Sequence, residues 1–515
     1  MLTLKSYRGH IRNHQELCTE LGLPSGMSRE KREKEIIIEG YKQWGDDLPN
    51  HLYGMFSFAI HNDQTGEIIC IRDPFGTKPF YYYLSKEDEL LYGTYLSDIL
   101  EDSRFEKEFN PAMLQHYLTY TYVPGEDTFF KNVKKLMPGY ILHFQDGKIE
   151  LKRYFAPTFK PDTDKALDDW SNEIHETLKQ IMTEIKDPDE IAESFLSGGV
   201  DSSYVFAMSD AKVSDSCGYE DERFDESPLA KKTAEILNRE NKRALITPEA
   251  YFDIVPWVMK NMEQPLGDAS AIVFAIGCQE TAKHTKLCYS GEGADEFFGG
   301  YNMYRNAERY GENLKNFYIG NTNIMKEEEK AKLLRNYDES IKPIDVVQSI
   351  YAENEGLDPL SKMTDIDIRV WLEGDIYLNV DKMSTAANLE VRMPLTDMRV
   401  FDIASRIPAH YKVNETQNKV AFRNAASKVL PDEIAFRKKL GFIVPIRYWL
   451  KDDRYNSDVK RLFNSDIAET FFNQDVLKSI FDEYVSGNSD LWRKVWTIYT
   501  FLVWYEIYFV KNEIR

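Results

Sequence analysis

Cysteine is scarce in this 515-residue sequence, and no two of its five cysteines form a C-x-x-C pair. Cys18, Cys70, Cys217, Cys278 and Cys288 are scattered and odd in number. That excludes a disulfide framework and a cysteine zinc site, and it points to a reducing cytoplasm. Positive charge is also short: 64 Lys and Arg stand against 85 Asp and Glu, for a net charge of −21. Nucleic acid and anionic membrane are therefore excluded as main partners, because phosphate-rich surfaces require clustered cations. The opening MLTLKSYRGHIRNH has no apolar segment of the secretory kind. Long hydrophobic runs are missing as well. The most apolar tract, residues 496–510, contains Glu506 and is too short to span a bilayer, so it reads as a buried core helix.

What is present is enough for large cores: 43% apolar and 13% aromatic residues, over a length that suggests about three domains. Residues 13–23 and 33–44 repeat apolar side chains three and four apart, as amphipathic helices do. From Gly54 the period shortens. Residues 55–60, 68–72, 80–84 and 90–93 are short β-branched or aromatic runs between turn residues. Residues 139–144 and 148–154 flank Gln145-Asp146-Gly147 as a hairpin. Helices followed by strands predict a layered α+β sandwich over residues 1–155. The tract 156–164, with Pro157 and Pro161, reads as a linker. Strand and helix signals then alternate: 191–196, 213–219, 244–246 and 287–290 as strands, with helices 227–237, 248–262 and 271–283. This predicts an α/β doubly wound parallel sheet in a second domain, residues 165–515. From Tyr301 onward the pattern is almost entirely helical, and the charged run 326–332, KEEEKAK, reads as a solvated helix face.

Two loops carry the chemistry. The first is IAESFLSGGVDSS, residues 191–203: a strand, a Ser197-Gly198-Gly199 turn, and Asp201-Ser202-Ser203 opening a helix. Backbone N–H groups and the positive end of the helix converge there, which suits phosphate. The spacing differs from G-x-x-x-x-G-K-[ST], having no lysine and an aspartate at the helix start. An aspartate beside phosphates makes sense if it holds Mg²⁺, which takes few carboxylates and keeps nucleotide oxygens as its other ligands. The second loop, Ser290-Gly291-Glu292-Gly293-Ala294-Asp295-Glu296, follows another strand of the same sheet. Three acids in five residues repel one another unless a cation or proton is shared. Asp201 and Asp295 together suit a Mg²⁺ ion on a triphosphate.

SGGVDSS, SGEGADEFFGGY, DKMSTAANLEVRMPLTD (381–397) and RKKLGF (437–442), in that order, resemble the synthetase half of the asparagine synthetase family. GYEDERFDES (218–227) and EQPLGDASA (263–271) do so too, and YRGHIRNHQEL (7–17), LYGMFSFAI and IRDPFGTKPFYY (71–82) resemble its glutaminase domain, of the Ntn amidotransferase kind. The resemblance covers nearly the whole chain. It implies an ATP pyrophosphatase-type ligase: a substrate carboxylate attacks the α-phosphate of ATP, pyrophosphate leaves, and ammonia displaces AMP. By position, Ser197, Gly198, Gly199, Asp201, Ser202, Ser203, Ser290 and Gly291 would hold ATP and its pyrophosphate. Asp201 and Asp295 would ligate Mg²⁺, Lys439 would face the α-phosphate, and Glu292 would be the base. Lactam-forming relatives carry tyrosine at that position, so the glutamate favours ammonia or another external amine. Aspartate is the default acceptor.

The first domain departs from the pattern. The resemblance places an N-terminal nucleophilic cysteine roughly fifty residues before this sequence begins, and neither Cys18 nor Cys70, read as small core residues, replaces it. Arg8 stands where the family has an oxyanion-hole Asn, and His10 where it has a glutamine-binding Glu; lone Arg and His residues read as surface. Either the true N-terminus lies upstream, or the domain is a truncated pseudo-glutaminase whose open sheet edge a separate chain covers. No glutaminase activity is expected of this chain alone. Three functions follow: amide ligation with ammonia, the same adenylation with another amine donor or acceptor, and a non-catalytic regulatory subunit. A homodimer is left open as the assembly.

Overall fold

The computed structural model describes residues 1–186, 190–438, 441 and 443–514. The first part is built on a five-stranded antiparallel sheet in the order β1-β2-β3-β7-β8. Its strands are β1 (Leu2–Ile11), β2 (Gly54–Asn62), β3 (Glu67–Arg72), β7 (Tyr140–Gln145) and β8 (Lys148–Arg153). A second antiparallel sheet runs β5 (Leu90–Gly93), β4 (Tyr81–Leu84), β6 (Lys134–Lys135). The period of two along EIICIR explains the layering, since successive side chains leave opposite faces of a strand. Ile69 and Ile71 pack with Ile36 and Ile37 of the helix Arg29–Trp44. Cys70 packs the other way, with Phe80 and Tyr82 at the second sheet. Helices, sheet and sheet thus form an α+β sandwich, as the pattern predicts.

β1 was not legible as a strand. Its segment mixes Lys5, Arg8 and His10 among apolar residues, and its pairing with β2 shifts register between Leu4 and Ser6. The linker after β8 has no regular structure but is pinned to the second part, Lys160 N–H donating to the Ser405 carbonyl at 3.1 Å and Asp162 N–H to the Arg406 carbonyl at 2.8 Å.

The second part holds a parallel sheet in the order β11-β10-β9-β12-β13. These are β9 (Ala192–Phe195), β10 (Val213–Gly218), β11 (Glu240–Leu245), β12 (Leu287–Tyr289) and β13 (Glu390–Arg392). The chain builds outward from β9 to β11, then returns to β9's other side with β12. That reversal opens a crevice at the carboxyl ends of β9 and β12, where ligands bind in such sheets. β13 is the exception in the almost entirely helical C-terminal third: three residues are too few for a periodicity signal, and only pairing with β12 makes them a strand. The run 326–332 is corrected at one residue. It forms the helix Glu327–Leu333, but Lys330 is fully buried and donates to Thr119 Oγ1 at 2.8 Å and the Gln115 carbonyl at 3.1 Å.

The apolar C-terminal tract forms the helix Trp492–Tyr505 and continues as the π-helical turn Glu506–Lys511. Trp496 and Trp504 are fully buried, and Phe129 of the first part lies 4.9 Å from Trp504, ring to ring. No described helix is long and apolar enough to cross a membrane.

Candidate active site

The two loops meet. Gly198 has φ +81°, a conformation L side chains rarely adopt, so the turn after β9 needs glycine there. The turn is tied internally: Ser197 N–H donates to Ser202 Oγ at 3.1 Å, and Gly199 N–H to Ser197 Oγ at 3.3 Å. The helix Val200–Met208 then begins, its N-terminus facing the crevice. From the other side, Gly291 lies directly on that helix start. A Cβ at 291 would come within 2.8 Å of Ser202 N and 2.9 Å of Asp201 C, so only glycine lets the backbones approach this closely.

The carboxylates converge in the same place. Asp201 Oδ2 lies 2.6 Å and Asp295 Oδ1 2.8 Å from a single ammonium, that of Lys419. Asp201 Oδ1 is buried with no hydrogen-bond partner. Among the described residues no three His, Cys, Asp or Glu side chains converge as a closed metal site. Two carboxylates with an orphaned oxygen fit Mg²⁺, which takes few protein ligands and keeps water or phosphate oxygens for the rest. Behind Asp295, burial and its charge push the Glu296 carboxyl up to about 8, and Tyr301 O–H donates to it at 2.6 Å.

A cavity of about 390 Å³ opens over both loops. Ser197, Gly198, Gly199, Asp201, Ser202, Ser290, Gly291, Glu292 and Asp295 line it. Ser203 does not; it is fully buried beneath the loop. Ser290 Oγ lies 3.4 Å from Glu292 Oε1. The wall continues along β10 and the helix Ser270–Thr281, where Cys217, Phe274 and Gly277 form a patch suited to a flat ring, and returns by Ile376, Asn379 and Val380. Asp215 lines the same wall, and burial and a hydrogen bond with Glu193 push its carboxyl up to about 8.

Known proteins place this architecture. The asparagine synthase family pattern matches residues 173–506, and the glutamine amidotransferase domain pattern matches residues 3–155. The chain belongs to the asparagine synthetase family. It is 32% identical to asparagine synthetase [glutamine-hydrolyzing] 1 of Bacillus subtilis, over 97% of this chain and 85% of that protein. It is 30% identical to a putative asparagine synthetase [glutamine-hydrolyzing] of Mycobacterium bovis, over 99% and 85%. A more distant relative, amidase chry2 of Gibberella zeae, is 26% identical over 53% of this chain and 43% of its own length.

Within this family fold, sequence reasoning missed three cations. Lys419 bridges the two aspartates, Arg437 Nη1 donates to the Gly198 carbonyl at 2.6 Å, and Arg423 Nη1 donates to the carbonyls of Ala435 (2.7 Å) and Arg437 (2.9 Å). Arg437 lies within the RKKLGF motif and was within reach of the sequence; Lys419, in VNETQNKVAF, carries no spacing signal. Lys439 lies outside the described residues.

The altered residues of the first part are not surface residues. Arg8 Nη2 donates to Asp381 Oδ1 at 2.9 Å, and the guanidinium also reaches Thr385. His10 is buried beside Glu33, and burial together with the charge of Arg392 holds its imidazole well below its ordinary range. Cys70 is fully buried in β3, and burial raises its thiol; Cys18 is half-buried, and burial raises its thiol as well.

Proposed function

We propose that this chain is an AMP-forming amide ligase, with residues 1–155 and 165–515 as its two working parts. It adenylates a side-chain carboxylate, aspartate by default, releases pyrophosphate, and amidates the acyl-adenylate with ammonia. The single observation that carries this reading is the contact of the two loops, with Asp201 and Asp295 reaching one cation at the carboxyl ends of β9 and β12.

The roles follow from chemistry. Backbone N–H groups of the 197–199 turn and the start of the helix Val200–Met208 would cradle the pyrophosphate oxygens, with Ser197, Ser202, Ser290 and Gly291 on the rim. Asp201 and Asp295 would hold Mg²⁺, which when bound neutralises charge on the leaving pyrophosphate. Glu292 would take a proton from the attacking nitrogen, worth about 10²–10⁴ in rate. Lys439 is assigned to the α-phosphate on motif position alone. The cavity wall formed by Cys217, Phe274 and Gly277 suits the nucleobase.

Glutamine hydrolysis is assigned to no residue of this chain. The two thiols of the first part are raised by burial, the opposite of what activates a nucleophile. Arg8 and His10 are engaged in structural contacts. The outer side of β1 pairs with no described strand, an edge that admits a further strand, whether from upstream in the same protein or from a separate chain. The free thiols suit a reducing, cytoplasmic setting.

Incubating the chain with ATP, Mg²⁺ and ammonium and following pyrophosphate across a panel of carboxylates tests the reading. Release that depends on aspartate and yields asparagine is expected. Release with another acid moves the acceptor, and no release with any acid sinks the ligase assignment. Free glutamate from glutamine would overturn the absence of glutaminase activity.

A further inference from the structure

Lys419 is the least ordinary residue of the site. It is a non-glycine residue held at φ +57°, immediately before the helix Val420–Ala426. Its side chain is only 2% exposed, yet it ends on two carboxylates that line an open cavity. The segment is clamped to the acid loop: Asn418 Nδ2 donates to the Gly300 carbonyl at 2.8 Å, and Gly300 N–H to the Asp295 carbonyl at 2.7 Å. The space is full. A Cβ on Gly300 would come within 1.8 Å of Asp295 Oδ1 and 2.2 Å of Lys419 Cε.

Two facts of electrostatics bear on this. Asp201 and Asp295, brought together by the fold, repel unless a positive charge lies between them. A second cation cannot join the first at contact distance in a partly buried site without a large penalty. Lys419 therefore does for the empty site what a divalent cation would do for the loaded one, and the two compete for the same oxygens.

We propose that Lys419 is a resident cation that keeps free divalent metal out of the site, so that metal enters only with a polyphosphate whose anionic oxygens draw the ammonium away. Lys419 is thus a positioning residue that holds the two aspartates in register before substrate arrives, and it couples metal entry to nucleotide entry. The inference rests on the ligase reading only for the assignment of Asp201 and Asp295 as the metal's carboxylates.

The test needs no turnover. Mn²⁺ is titrated into the full nucleotide-free chain and followed by electron paramagnetic resonance, for the native protein and for Lys419→Met. The native chain is expected to bind Mn²⁺ at least about tenfold more weakly than the variant. The double variant Lys419→Met with Asp295→Asn returns to the native level. Mn²⁺ raises the melting temperature of Lys419→Met and leaves that of the native chain unchanged. If the methionine variant does not fold, Lys419→Gln keeps a polar head in the same space and takes its place. Equal Mn²⁺ affinity in native and variant chains overturns the proposal, and so does native binding tighter than about 10 µM without nucleotide. Because no acceptor, ammonia or catalysis enters the measurement, failure of the ligase reading in the pyrophosphate assay is a separate result.

Discussion

Two regions of this molecule bury carboxylates against lysine and arginine, and they do opposite things with them. At the seam between the first 155 residues and the rest, cations of the first part meet acids of the second. Arg72 Nη1 (2.9 Å) and Lys135 Nζ (3.1 Å) share Glu373. Lys78 and Arg8 each lie 2.9 Å from Asp381, Arg12 lies 3.0 Å from Asp397, and Arg29 forks onto Glu390 at 2.6 and 2.9 Å. Cations outnumber acids in this set. At the Asp201–Asp295 pair the ratio reverses: two aspartates share one lysine, one carboxylate oxygen is orphaned, and the group borders a 390 Å³ cavity. Buried ion pairs by themselves mark only a seam. Two carboxylates on one cation beside open space, where glycines bring two backbones into contact, mark a site.

That contrast can be broken experimentally, and the largest effects belong to the pocket. Asp295→Asn is expected to lower ATP-dependent pyrophosphate release by about 10²–10³-fold while leaving the melting temperature within a few degrees. Full activity in that variant would make the pocket another seam. Gly291→Ala should cut the same activity and also destabilise by about 1–3 kcal/mol, because its methyl group must displace the start of the helix Val200–Met208; activity and denaturant titration measured together separate the two.

At the seam the effects fall on stability. Glu373→Ala leaves Arg72 and Lys135 buried without their carboxylate and should cost about 3–5 kcal/mol in urea unfolding. The pH dependence is smaller. Burial would raise Glu390, but Arg392 and Arg29 hold it down to about 2, against an ordinary 4.5. A depressed folded value means stability that is complete above pH 4.5 and lost as pH falls towards 2, on the order of 3 kcal/mol; Glu390→Gln should flatten that part of the stability profile. The smallest effect is expected from the exposed pair Lys232–Glu433, 2.5 Å apart, whose removal should change stability by less than about 0.5 kcal/mol.

Much of this was legible in the residue order, for reasons that are local. Turns need glycine, and alternation along EIICIR sends Ile69 and Ile71 to one layer and Cys70 to the other. A glycine turn between strand and helix makes an anion site whatever surrounds it. So the layered first domain, the parallel sheet and the pairing of the 197–203 and 290–296 loops could be expected from sequence alone. β13 could not, because three residues acquire strand geometry only from a neighbour. Nor could the burial of Lys330, whose charged run looks solvated until Gln115 and Thr119 are brought to it from more than two hundred residues away. Arg8 and His10 read as surface for the same reason.

What the sequence determined by itself was therefore the chemistry of each loop, since a backbone turn and its acids are set by neighbours a few residues apart. Only the tertiary structure decided the charge balance. Whether a carboxylate meets Lys419, Arg72 or open space depends on segments hundreds of positions distant, and electrostatic energy follows distance in space, to which distance along the chain is no guide.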